Sequence, residues 1–194
     1  SHADGWRGPE PMPIVREELA AAAAKGPDAI KRDHLADMAN LLVRVSLDLG
    51  RSPPELAALP TDERIKRYVD EGRFQQGGND PELEVMLFQM GRYLLASSSR
   101  PGGLPANLQG LWNDSNNPAW ASDYHNNINI QMNYWPAEPT GLGDCAEPLI
   151  AFVRAQAEPC RIATRKAFGG KTRGWTARTS QGPFGGNGWE WNIP

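Results

Sequence analysis

Cysteine is nearly absent from this sequence: Cys145 and Cys160 are the only two among 194 residues. Two are too few for a disulfide scaffold. If both lay on one continuous helix they would stand about 22 Å apart, beyond disulfide reach. A helix break near Pro159 would shorten that distance. Histidine is also scarce, with three residues. His34 and His125 have no third partner at metal-ligand spacing, so no zinc site is expected, nor any cofactor. No apolar run approaches the roughly 20 residues needed to span a bilayer, and no membrane partner is expected. A basic stripe is missing as well. The 20 Lys and Arg and 23 Asp and Glu are interspersed for a net charge of −3, so nucleic acid is not an expected partner. Ser97, Ser98 and Ser99 lack the G-x-S-x-G frame of a nucleophile elbow, and the glycine clusters do not match a phosphate-binding loop. The first residues, SHADGW, lack a basic stretch followed by an apolar one. They read as an artificial start or an internal cut and leave localisation unread.

Helix signals dominate the first half. Residues 14–25 (IVREELAAAAAK) are Ala-rich and stop at Gly26-Pro27. Residues 28–49 place Ile30, His34, Met38, Leu41, Leu42, Val45 and Leu49 at spacings of three and four. That pattern predicts one apolar stripe on a helix of about six turns, closed by Gly50. SPPELAALP reads as a Pro-rich connector, and Thr61-Asp62-Glu63 opens a helix over 61–71. Asp80-Pro81 reads as a cap and first helical residue for a helix over 81–97. Residues 100–123 form a long loop rich in Pro, Gly, Asn and Trp, longer than the ~12 to 15 residues usual for structureless loops. Residues 144–168 return to helical spacing, with Pro159 as a break. The last stretch, GGKTRGWTARTSQGPFGGNGWEWNIP, reads as irregular aromatic loop. The layout predicts an all-α array with its chemistry in the connections.

That chemistry concentrates in SDYHNNINIQMNYWP, residues 122–136. Asn127, Asn129, Gln131 and Asn133 alternate with Ile128, Ile130, Met132 and Tyr134. Period two favours strand, while the helical context and Pro136-Ala137-Glu138-Pro139 favour a short helix. The plain reading is that these amides cap and cross-link loops at a helix start. The sharper reading is a carbohydrate site. Amides donate and accept together and so meet a hydroxyl in either role, and aromatic faces stack on sugar C–H faces. Six of the seven tryptophans (Trp112, Trp120, Trp135, Trp175, Trp189 and Trp191) lie in the last 83 residues. By contrast, His34 falls on the apolar stripe near Asp33 and Asp37, and reads as a core or edge histidine.

The long motifs LPTDERIKRY, DPELEVMLFQMGRYLLASSSRPGGLPANLQGLWN, PAWASDYHNNINIQMNYWPAEPTGLGDCAEPL and RGWTARTSQGPFGGNGWEWN occur in that order. With them the sequence resembles glycoside hydrolase family 95, the inverting α-L-fucosidases with an (α/α)6-barrel catalytic domain. The resemblance implies that Asn127 and Asn129 hold the attacking water for a catalytic Asp. It implies that His125 lines the sugar pocket and that Trp112 and Trp120 shape its wall. It implies a fucosylated glycan as partner and a periplasmic or secreted setting.

The family's general acid and base motifs are not in these residues, and Glu138, Glu147 and Glu190 do not occupy their positions. Only about half the helices of such a barrel are counted. The expectation is therefore a partial (α/α)6 barrel, residues 1–194 being the N-terminal half of a catalytic domain that pairs with the remainder of that domain. Arg178 stands where some members carry a His, which leaves an α-L-galactosidase as the neighbouring alternative. A non-catalytic carbohydrate-binding scaffold is the alternative from another class.

Overall fold

The computed structural model describes residues 8–71 and 79–183. Seven α-helices account for most of them. α1 spans Pro11–Lys25 and α2 spans Pro27–Leu42, hinged at Gly26, whose φ of 78° places it in the left-handed region. α3 is a single turn, Pro54–Ala57, inside the expected connector. α4 is Thr61–Glu71. α5 is Pro81–Ser98, with the Asp80 carboxylate accepting from the Leu83 amide as the expected cap. α6 is Asn129–Tyr134, and α7 is Glu147–Phe168, preceded by a 3-10 turn at Gly143–Ala146.

Three expectations need correction. α2 stops at Leu42 rather than near Gly50. Its stripe is buried at Leu41, whereas Ile30 is exposed. The cause lies fifty residues downstream. The buried Arg92 guanidinium donates to the carbonyls of Leu41 (3.1 Å), Leu42 (2.8 Å) and Val45 (3.1 Å) and to that of Thr140 (3.1 Å). Carbonyls freed at the helix end are thereby satisfied by a side chain, and the chain need not continue the helix. Second, α7 runs through Pro159 without interruption. A proline removes its own N–H from the ladder, but the turns on either side hold. Third, two short strands appear in a layout read as all-α, β2 within the stretch read as irregular loop and β1 at the start of the Asn-rich stretch. β1 (Tyr124–His125) pairs antiparallel with β2 (Ser180–Gln181), His125 opposite Ser180.

The core gathers around this ladder. Tyr124 packs on Phe152 of α7 at 4.4 Å between ring centroids. Leu95 and Ala96 of α5, Ile130 and Tyr134 of α6, and Leu142 complete it. The Tyr134 hydroxyl accepts from the Ala106 amide (2.8 Å) and bonds the Ser99 hydroxyl (2.6 Å), which donates to the Cys145 carbonyl (2.8 Å). One buried network thus ties the end of α5, the long loop and α6 together. Cys145 and Cys160 are buried and free, and burial pushes both thiols up. No described helix is long and apolar enough to cross a membrane.

Candidate functional site

The site forms where β1 turns into α6. Asn126 fixes the crossing. Its amide N–H donates to the Thr179 carbonyl (2.7 Å), and its side-chain amide donates to the Arg178 carbonyl (2.7 Å) and to Gln181 Oε1 (2.8 Å). The chain then reverses at Ile128, a non-glycine residue at φ 74°. The β-branched side chain makes that conformation costly, about 1–2 kcal/mol on steric grounds. Packing on both sides holds it: Asn126 is bound to the β2 segment, and Ile130 two residues on is in the core.

This kink decides how the amides face. Two residues apart on a regular helix, Asn127 and Asn129 would point about 200° from each other. Here Asn127 precedes the kink and Asn129 is the first residue of α6. Both line one cavity of about 510 Å³ with Trp120, His125, Ile128, Thr179 and Ser180. That is the size range of small-ligand sites.

The amides of the stretch divide into two groups. Asn126 is engaged as described. Gln131 donates back to the Asn126 carbonyl (2.8 Å), and Asn133 donates to the Asn107 carbonyl (3.0 Å). These three serve the backbone, as the plain reading anticipates. Among the described residues, the side chains of Asn127 and Asn129 make no hydrogen bond to protein, and these two face the cavity. Their donors and acceptors are open to a ligand or to water.

His125 projects into the same cavity from β1. Its Nδ1 lies 2.6 Å from Asp123 Oδ1, and Trp120 leans over its ring at 5.0 Å and 34°. Trp120 owes its place to a second strained turn. Trp120, Ala121 and Ser122 all have positive φ, of 53°, 57° and 48°. Ser122 anchors the turn by donating to Asn107 Oδ1 (3.0 Å). Trp120 is 60% exposed, so an aromatic surface stands open beside the Asn127 and Asn129 amides and an imidazole.

Not every sequence candidate converges. Trp112 does not line the cavity. Its ring folds over Gly110, where an added Cβ would meet Trp112 Cζ3 at 2.6 Å. His34 is exposed and meets Tyr93 edge-on at 5.9 Å, so of the core and edge positions expected for it the edge is the one observed. Glu138 packs against Gly143, Glu147 begins α7, and neither lines the cavity. Glu190, Trp189 and Trp191 lie outside the described residues. Thr179 and Ser180 line the cavity unanticipated. The available signal was the run Thr179-Ser180-Gln181, neutral hydroxyl and amide side chains of the same chemistry as the Asn-rich stretch. Among the described residues no three His, Cys, Asp or Glu side chains converge in a way that could hold a metal ion.

Neutral donor–acceptor groups beside an open indole face, with no carboxylate among the described lining residues, suit a neutral polyhydroxylated ligand. Comparison with known proteins gives the family. The Glycosyl hydrolase family 95 catalytic domain matches residues 26–193, and the chain belongs to this family. It is 39% identical over 180 residues to "Probable alpha-fucosidase A" of Aspergillus niger, covering 93% of this chain and 22% of the relative. It is 32% identical over 183 residues to "Probable alpha-fucosidase A" of Aspergillus oryzae, covering 94% and 24%. It is 43% identical over 147 residues to "Alpha-L-fucosidase 2" of Arabidopsis thaliana, covering 74% and 16%. The chain thus spans a quarter or less of the length of these relatives.

Proposed function

We propose that this chain is the N-terminal part of the catalytic domain of an α-L-fucosidase that acts with inversion, its helices forming part of an (α/α)6 barrel. An inverting glycosidase protonates the leaving oxygen with one carboxylic acid and activates water on the opposite face with a second carboxylate. Both carboxylates would come from parts of the parent protein outside this sequence. Asn127 and Asn129 orient the attacking water. His125 bonds a sugar hydroxyl, and Trp120 stacks on the sugar's apolar face. Trp112, turned onto Gly110, is left without a part in the wall.

The observation that supports this reading most directly is the division of the amides: the two that face the cavity are the two without protein partners among the described residues. An amide needed only for the fold would be engaged like Asn126, Gln131 and Asn133.

The test uses the full-length parent protein and an aryl α-L-fucoside. Asn127→Ala and Asn129→Ala should each lower kcat strongly while KM moves little, the signature of an interaction made mainly in the transition state. The loss should reach about 2.7 to 4 kcal/mol, by analogy with removal of an oxyanion-hole donor. Variants with normal kcat and lowered thermal stability would return both amides to a structural role.

A further inference from the structure

Beneath His125 lies a group that the proposed chemistry does not use. Asp123 is buried, 8% exposed, yet it adjoins the cavity through both of its oxygens. Oδ1 meets His125 Nδ1 at 2.6 Å. Oδ2 meets the Ser180 hydroxyl, and Ser180 is itself 2% exposed and part of the cavity lining. The backbone of Asp123 is held as well, its carbonyl accepting from the Leu108 amide at 3.2 Å. The antiparallel register sets Ser180 directly opposite His125, so Asp123 reaches both across the end of a two-residue ladder.

The directions of these bonds follow from donor and acceptor chemistry. An ionised carboxylate only accepts. The Ser180 hydroxyl must then donate to Oδ2, and the proton shared at Oδ1 must belong to His125 Nδ1. In a neutral imidazole one nitrogen donates and the other accepts. A proton fixed on Nδ1 leaves Nε2, on the opposite ring edge, as a bare acceptor. Trp120 packs against one face of the ring.

We propose that Asp123, oriented by Ser180, is a positioning residue that sets His125 as a hydrogen-bond acceptor at Nε2, so that the ligand hydroxyl meeting His125 must donate to it. This rests on the reading of the cavity as a fucoside site. It assigns a direction to one contact of that site and a task to two residues that line or underlie it.

The closing experiment has two separate readouts on the full-length parent protein. Long-range 1H–15N NMR in alkaline buffer, without ligand, reports the His125 tautomer. Kinetics on an aryl α-L-fucoside reports the consequence. We expect the Nδ1–H form in the native protein. Asp123→Asn presents an amide that can donate to Nδ1, so the ring should switch to the Nε2–H form. kcat/KM should then fall about 10- to 100-fold, by analogy with losing a residue that orients a metal-ligating histidine. Ser180→Ala should retain the Nδ1–H form with a smaller loss. A native Nε2–H ring overturns the proposal, and that measurement stands even if Asp123→Asn fails to fold. An unchanged tautomer or unchanged kcat/KM in a folded Asp123→Asn overturns it too. Native protein with the Nδ1–H ring, switched by Asp123→Asn, but no turnover of the fucoside would support the positioning role and sink the fucosidase reading instead.

Discussion

At the scale of single residues, the clearest energetic lever lies away from the cavity. The buried Asp80 carboxylate accepts from Arg64 at 2.6 and 3.0 Å, from the Leu83 amide at 3.2 Å and from the Ser52 hydroxyl. These partners, the Arg64 guanidinium foremost, hold its pKa down at about 2 against an ordinary 3.8. A depressed carboxylate stabilises the fold at pH above its unfolded value, and that contribution fades as pH falls from about 4 toward 2. Asparagine caps a helix about as well as aspartate, so Asp80→Asn isolates the charge. It leaves Arg64, 6% exposed, without its anion. Losing one partner of a buried pair costs about 3–5 kcal/mol, or a Tm decrease on the order of 10 °C for a domain of this size. Thermal melts between pH 7 and pH 2 check this. The native protein should lose Tm steeply below about pH 4, and the variant should start lower and fall less. Parallel pH curves would mean that Asp80 carries no linked proton.

At the scale of elements, local signals were readable and long-range ones were not. Asp80-Pro81 fixes the start of α5 by its own chemistry, and the Ala-rich run before Gly26-Pro27 is helical without outside help. The end of α2 depends on Arg92, whose guanidinium arrives from a helix fifty residues on, so the periodicity of 28–49 overran it. The pairing of Tyr124–His125 with Ser180–Gln181 joins segments too short to carry a period of their own. For the same reason Thr179 and Ser180 escaped notice, while side-chain chemistry pointed to the Asn-rich stretch and its aromatics as a whole, and the family resemblance singled out His125, Trp120, Asn127 and Asn129 within it. The kink at Ile128 was not, because nothing about an isoleucine announces a positive φ.

α7 supplies the element-scale prediction. Pro159 sits inside a helix that continues for nine residues to Phe168. An interior proline costs about 3 kcal/mol relative to alanine, part of which is offset here by the packing of its half-buried ring. Pro159→Ala restores a ladder hydrogen bond and should stabilise the chain by about 1–2 kcal/mol, read as a Tm rise of a few degrees with unchanged helix content. A lower Tm would show that the ring's packing outweighs the lost rung.

At the scale of the whole molecule, several helices carry more apolar surface than the described residues cover. α1 has no buried residue, yet Met12, Val15 and Leu19 form an exposed stripe at spacings of three and four. α5 buries Arg92, Leu95 and Ala96 on one side while Met86, Met90 and Leu94 are exposed on the other, with Leu87 beside them 74% exposed. A helix that is apolar all round belongs inside a structure. On α7, Ile150 and Val153 are similarly open. This is the pattern a barrel would show if the helices packing against these faces belonged to the rest of its domain. Contiguous apolar patches above a few hundred Å² drive association. The isolated chain should therefore self-associate at micromolar concentration in sedimentation velocity. Leu87→Lys combined with Met90→Lys should shift it toward monomer with helix content intact, because both side chains point away from the core. The same chain should turn over no aryl α-L-fucoside, since general acid–base help worth about 10² to 10⁴ per group would have to come from carboxylates that the described cavity lacks. A monodisperse monomer with a single cooperative unfolding transition would mean that α1 and α5 need no covering helices, and the partial-barrel reading would fail with it.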